Sequence, residues 1–286
     1  NQNADHVADG VYSYGLSNTN SSNSYGLYLS YGLHQINLLQ DGENALVIAT
    51  EEDPLSNRTL TAQLTGEGGV VFDATKGELT VANSQNNYTG STTLTGGKVL
   101  MGADNVFGNT SLLAVNSDAT MQTNGFSQTV GELVNQGTII LDPSVLTTDS
   151  ITNTGVIDIA GGTLNIQNGG SSSSVGGLTG PCIVNVNGGL LTLSGANDGL
   201  SAAINIAQGA TLTSAVAGTL GSSATNIDGL LNLDASDTLE NKLSGNGVSA
   251  INADINLLGD NSLYSGQFDI SQGGTLIAHN ESNLGR

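Results

Sequence analysis

The 286-residue chain carries 5 Lys or Arg against 25 Asp or Glu, a formal net charge of −20. That balance excludes a phosphate-tracking nucleic-acid binder, whose contacts need clustered Lys and Arg, and it disfavours heparin-like and anionic-membrane partners. Forty glycines, about twice the usual share of ~7%, with three prolines and no tryptophan, mark a chain of turns and strands; its 37% hydrophobic content is enough for a core and argues against disorder.

Residues 1–35 stand apart. Five of the seven tyrosines lie there, Tyr12, Tyr14, Tyr25, Tyr28 and Tyr31, in segments flanking the polar stretch SNTNSSNS. Two tyrosine-rich strands around a polar loop predict a β-hairpin. It is expected to act as a capping element whose aromatics, Tyr31 included, pack on the start of the main body of the chain. The alternative is an exposed contact patch, with Tyr12, Tyr14, Tyr25 and Tyr28 as candidate binding residues. His34, on the INLL run, is expected to be a satisfied structural histidine.

From Ile36 to Arg286 short strand-like runs dominate: INLLQ, ALVIAT, LTAQLTG, VVFDA, GELTVAN and STTLTGG, punctuated by Gly, Asn and Asp. No segment sustains a helical period. A β-sandwich would also accommodate such runs, but a glycine phrase recurs with a fixed period. It reads NQGTIIL at Gly137, NTGVIDI at Gly155, NGGLLTL at Gly189, QGATLTS at Gly209 and DGLLNL at Gly229. Steps of about 18–20 residues built from strand and turn chemistry predict a solenoid, in which each coil buries its apolar residues only against the coils above and below. At ~4.8 Å per coil, roughly 10–13 coils would form a rod of about 50–60 Å. Cys182, the single cysteine, heads the run PCIVNV and reads as a buried, unreactive thiol.

A longer repeat overlies the short one, at 64–109 and 243–286. Leu64, Tyr88 and Gly96 in the first block correspond in order to Leu243, Tyr264 and Gly273 in the second. LTGEGG, NNYTGSTTLTGGKVL and VFGN together resemble the passenger-associated transport repeat of bacterial autotransporters (type V secretion). SYGLYLSYGLHQINLL resembles the lead-in of passengers of the adhesin-involved-in-diffuse-adherence and antigen-43 type. The second block departs where Phe268 stands in place of a threonine. The resemblance implies an all-β, right-handed, three-sided parallel β-helix, exported to the cell surface and held through an outer-membrane barrel outside this stretch. It also implies an adhesin role in aggregation or biofilm formation. The partners expected are a second copy of the chain, or a host surface protein, matrix component or glycan; a plain spacer is the third option. No membrane insertion by this stretch is expected, and the chain reads as a piece of a longer protein.

Catalytic chemistry finds little to work with. There is no GDSGS-like nucleophile segment, and Ser171–Ser174 reads as a flexible loop or coil turn. His6, His34 and His279 are too scattered for a triad on a rod. Arg58, Lys76, Lys98, Lys242 and Arg286 are too dispersed for a polysaccharide lyase site. Asp228, Asp234 and Asp237 are close in sequence and are candidate binding carboxylates, placed by DGLLNLDASD at solvated turns rather than as a hydrolase pair. The nonapeptide calcium repeat is absent. The expectation is a non-enzyme with no catalytic residues, no metal site and no cofactor.

Overall fold

The computed structural model describes residues 6–19, 25–51, 58–174 and 177–286. Strand β1 (Ala8–Thr19) pairs antiparallel with β2 (Tyr25–Leu38) to form a long two-stranded ribbon. The end of β2 then enters the main stack: Gln35–Leu38 pair in parallel with Gln63–Gly66. One strand thus belongs to both the ribbon and the first coil.

Beyond the ribbon the chain is a parallel β-solenoid of about eleven coils. Among the described residues the helical content is two short 3-10 turns, Gly42–Asn44 and Glu281–Asn283. The coil containing Glu132–Asn135, Thr138–Ile140 and Val145–Thr148 shows the plan, with three strands on three sides. Each pairs in parallel with its counterpart one coil on, at Ile151–Asn153, Val156–Asp158 and Thr163–Ile166. In these two coils the strands are only three or four residues long, because the chain turns at each of the three corners.

Side chains alternate in and out along each strand, so one coil's inward residues stack on the next coil's. One inward row runs Leu113, Leu133, Ile151, Gly170, Leu191, Leu212, Leu231, Ser249, Phe268. The leucines of this row are 0–1% exposed. The neighbouring row turns polar for three coils, where Asn135 Nδ2 donates to Asn153 Oδ1 (2.8 Å) and Asn153 Nδ2 donates to Ser172 Oγ (3.0 Å), all three fully buried. Ser171 and Ser172, expected in a loop, are therefore strand residues (Gly169–Ser172), and Ser172 is a rung of this internal ladder. The corners need unusual backbone. Gly97 has φ +68°, and a Cβ there would lie 1.8 Å from the Ala74 carbonyl of the preceding coil, so no other residue fits.

The two long-repeat blocks occupy equivalent places. Tyr88 and Tyr264 are both buried, four residues before the inward residues Thr92 and Phe268. Tyr88 Oη lies 2.6 Å from Thr92 Oγ1, which donates to Thr110 Oγ1 at 3.0 Å. Phe268 offers no hydroxyl, so Tyr264 Oη instead donates to the backbone carbonyls of Gln267 (2.8 Å) and Gly247 (3.0 Å), and its ring packs on Phe268 with centroids 5.0 Å apart.

Candidate interaction surfaces

The ribbon is sharply two-faced. In its register Tyr12 opposes Leu33, Tyr14 opposes Tyr31 and Leu16 opposes Leu29. These six side chains share one face, and Tyr12 and Tyr31 meet edge to face with centroids 6.4 Å apart. Ser13, Gly15, Ser17, Tyr28, Ser30 and Gly32 form the other. The apolar face is uncovered: Tyr14 is 70% exposed, Leu16 72%, Tyr31 71% and Leu29 61%. The expectation that the aromatics pack on the first coils is corrected here. The contact with the stack is made instead by Ile36 and Leu38, which are buried beside Leu64. Of the four candidate tyrosines, Tyr12 and Tyr14 share the apolar face and Tyr28 lies half-buried on the other. Tyr25 pairs with Thr19 through its backbone, and its side chain lies outside the described residues. His34 is exposed at a bulge, where the register shifts between Val11–Gln35 and Tyr12–Leu33, and is not the packed histidine expected.

The outer faces of the solenoid are polar. On one of them Asn205 Nδ2 donates to Asn185 Oδ1 (2.8 Å), Asn185 Nδ2 to Asn165 Oδ1 (2.7 Å), and Asn165 Nδ2 to Thr147 Oγ1 (3.1 Å). Four coils carry one continuous amide ladder. The corner carboxylates brace turns and neighbouring coils. Asp237 accepts the Gly218 and Thr238 N–H groups (2.9 and 2.8 Å), Asp234 accepts from Asn252 Nδ2 (2.7 Å), and Asp228 from Asn226 Nδ2 (3.0 Å). Asp228 sits before the strand Leu230–Leu233, whereas Asp234 and Asp237 follow it, so the three do not converge. Among the described residues no group of three or more His, Cys, Asp or Glu is placed to hold a metal ion.

Asp41 is tied more tightly. Its carboxylate accepts the Gly42 N–H (2.7 Å), the Ser91 N–H (3.1 and 3.2 Å) and the Ser91 hydroxyl, fifty residues on. Burial raises its pKa, but the hydrogen bonds from Ser91 and Gly42 outweigh that and hold it below the usual value. Cys182 is half-buried; desolvation, with the nearby Asp158 charge adding to it, pushes its thiol up to about 11. His6 pairs with Asp9 at 2.6 Å, and His279 Nε2 lies 2.8 Å from Asn256 Oδ1, so the histidines serve separate local contacts.

An open-sided recess of about 610 Å³ runs along one corner, lined by Asn105, Asn109, Ser111 and Thr129 among others, amides and hydroxyls without a charged group. At its floor lies a device that sequence reading missed. Asn86 Oδ1 accepts the Leu64 N–H (2.7 Å) while its Nδ2 donates to the Val106 carbonyl (2.6 Å), joining the coil before to the coil after. Asn197 does the same between Leu178 and Thr219, and Asn261 between Leu243 and Asn283. All three are buried. The only signal in the sequence is an asparagine recurring near the corner glycines, which is hidden in a chain rich in asparagine.

The molecule is thus a parallel β-solenoid bearing an amphipathic ribbon. No protein-family model matches the chain, and no solved structure matches it. It is similar to two proteins of Escherichia coli (strain K12). One is described as an uncharacterized lipoprotein, YdeK, 31% identical over 290 residues, which cover 99% of this chain and 20% of YdeK. The other is the uncharacterized protein YuaQ, 38% identical over 99 residues, 34% of this chain and 7% of YuaQ. The chain therefore spans about a fifth or less of the length of these relatives. No helix of the described residues is long and apolar enough to cross a membrane.

Proposed function

We propose that this chain is a stretch of a bacterial surface passenger of the autotransporter type, a stiff acidic rod that associates side by side with copies of itself. The observation that carries the reading is the outward amide ladder Thr147–Asn165–Asn185–Asn205, a repeating row of hydrogen-bonding groups on a straight face. Individually weak contacts along such rows sum when many rods meet between two cells. In this reading the rod has no catalytic role and is displayed outside the cell, tethered by segments beyond this stretch. A barrel fits the autotransporter resemblance; a lipid fits the description of YdeK. Copies carrying −20 repel over a Debye length of ~8 Å at physiological salt, so the contacts are short-ranged. Clumping of cells displaying the rod should strengthen as salt is raised from low values, and should fall when Asn165 and Asn185 are both replaced by Asp. Clumping that weakens steadily with added salt overturns the reading.

A glycan-binding role is the second reading, favoured by the uncharged recess at Asn105, Asn109, Ser111 and Thr129, whose groups match sugar hydroxyls. Saturable glycan-array binding, lost in Asn109→Ala and Thr129→Ala without loss of clumping, would establish it.

A further inference from the structure

We propose that the apolar face of the β1–β2 ribbon is a pairing surface at which two copies of this chain join, ribbon against ribbon, about a twofold axis. The inference builds on the self-association reading but places a contact on a different surface, so the two can fail independently.

The face comprises Tyr12, Tyr14, Leu16, Leu29, Tyr31 and Leu33, each at least 39% exposed. Its opposite side is largely Ser and Gly. That alternation is the pattern of a sheet with one covered and one solvated face, yet nothing among the described residues covers it. A two-stranded ribbon is marginal alone in water and gains most from a layer packed on its apolar side. With about 150–250 Å² for each buried aromatic, the face offers on the order of 700 Å², near the ~800 Å² per partner of a standard interface.

Charge selects the occupant. Of the 25 acidic residues, only Asp5 and Asp9 precede residue 39, leaving 23 on the rest of the chain, and Asp9 is paired with His6. Residues 10–40 hold no Asp, Glu, Lys or Arg, so two copies meeting through the ribbon bring no like charges together on that face, and the repulsion left between their solenoids is screened by salt. A charged partner surface of either sign would have to be desolvated against this uncharged apolar face, whereas a second copy presents the same uncharged face to it. The face is also self-complementary. Its central pair is Tyr14–Tyr31, flanked by Leu16–Leu29 and Tyr12–Leu33, so a crossed copy places tyrosines against tyrosines and leucines at the flanks, the isologous arrangement of a twofold dimer.

Sedimentation equilibrium of the full 286-residue chain tests this at physiological and molar salt. The expected result is a monomer–dimer equilibrium that tightens with salt. The triple variant Tyr14→Ser, Leu16→Ser, Leu29→Ser should weaken it at least about tenfold with circular dichroism and melting of the solenoid unchanged, whereas Ser30→Ala on the back face should leave it intact. In a Cys182→Ser background, Tyr14→Cys should form disulfide-linked dimers under mild oxidation and Ser13→Cys should not; this second readout holds even if the triple variant loosens the ribbon. A chain that stays monomeric, or a dimer indifferent to the triple variant, overturns the proposal. So does a monomer that binds phosphatidylcholine vesicles through the same three residues, which would assign the face to lipid.

Discussion

Asn86 and Gln128 hold the same residue from opposite sides: Asn86 Nδ2 donates to the Val106 carbonyl at 2.6 Å, and Gln128 Oε1 accepts the Val106 N–H at 2.9 Å. Val106 lies at a corner, where the parallel ladder is interrupted and its backbone groups would otherwise be orphaned in a buried site. Amide side chains reaching from the coils before and after supply the missing bonds, so the corners are stapled as firmly as the faces are paired.

Asn86→Ala should therefore be costly. It leaves the Leu64 N–H and the Val106 carbonyl unpaired, and buried groups stranded in this way cost about 1–3 kcal/mol each. A loss of about 2–4 kcal/mol is expected, read as a fall in the thermal midpoint. Asn261→Ala should behave alike, because it serves Leu243 and Asn283 in the same manner. Asn109→Ala, at an exposed position on the same corner, should change stability by no more than about 0.5 kcal/mol. Equal effects from Asn86 and Asn109 would remove the staple.

Tyr31 and Tyr88 should separate cleanly. Tyr31 is 71% exposed, so Tyr31→Ala should shift solenoid melting little, by under about 1 kcal/mol. Tyr88 is fully buried and its hydroxyl continues through Thr92 to Thr110. Tyr88→Phe should cost about 1–2 kcal/mol by breaking that chain of hydroxyls. Tyr264→Phe should cost a similar amount, because the Gly247 and Gln267 carbonyls lose their donor. A destabilising Tyr31→Ala would mean the ribbon packs on the stack after all.

The contrast shows what the sequence could and could not convey. The steps between Gly137 and Gly155, and between Gly189 and Gly209, are set by coil circumference, which is local turn chemistry, and so the solenoid was legible. The pairing of Tyr88 with Tyr264 was legible for the same reason: both blocks must fill the same corner. Exposure was not. Tyr12, Tyr14 and Tyr31 alternate as a buried face would, and alternation reports which side chains share a face, not whether anything lies against it. Asp228, Asp234 and Asp237 looked like a cluster because sequence distance is short, but one intervening strand carries the chain across a whole side of the coil. Ser172 looked like a loop residue because serine rarely marks a strand core; its place was fixed by Asn153 one coil earlier, a non-local cause.

Asp41 gives the fold a pH-dependent joint. Its folded-state pKa lies below the unfolded value, so it contributes stability that is fully present above about pH 4 and is lost as pH falls through the folded value. Its exposure keeps the contribution modest. Asp41→Asn should lower the midpoint by about 1–3 °C at neutral pH. The gap to the native chain should close as the pH falls below the unfolded carboxylate's ~4 and through the lowered folded value, where Asp41 itself becomes neutral. A gap that stays constant across the titration would mean that the Ser91 contact works through shape rather than charge.

Cys182 provides a probe of coil integrity. Desolvation first, and the Asp158 carboxylate second, raise its thiol to about 11, so the thiolate is scarce near neutrality. An unfolded cysteine titrates near ~8.5, so at pH ~8 its thiolate fraction is larger by roughly 200-fold, and the thiolate is the nucleophile. Alkylation by iodoacetamide should therefore be slower in the native chain by about two orders of magnitude than in urea, and should accelerate about tenfold for each unit of added pH. Asp158→Asn should speed the native reaction modestly by removing the smaller of the two causes; its carboxylate also accepts the Ala160 N–H at 3.2 Å, and Asn retains that acceptor, so the turn should persist. Rapid native labelling that does not vary with pH would show that the coil around Cys182 opens on the timescale of the reaction, and that its protection is not set by the local electrostatics.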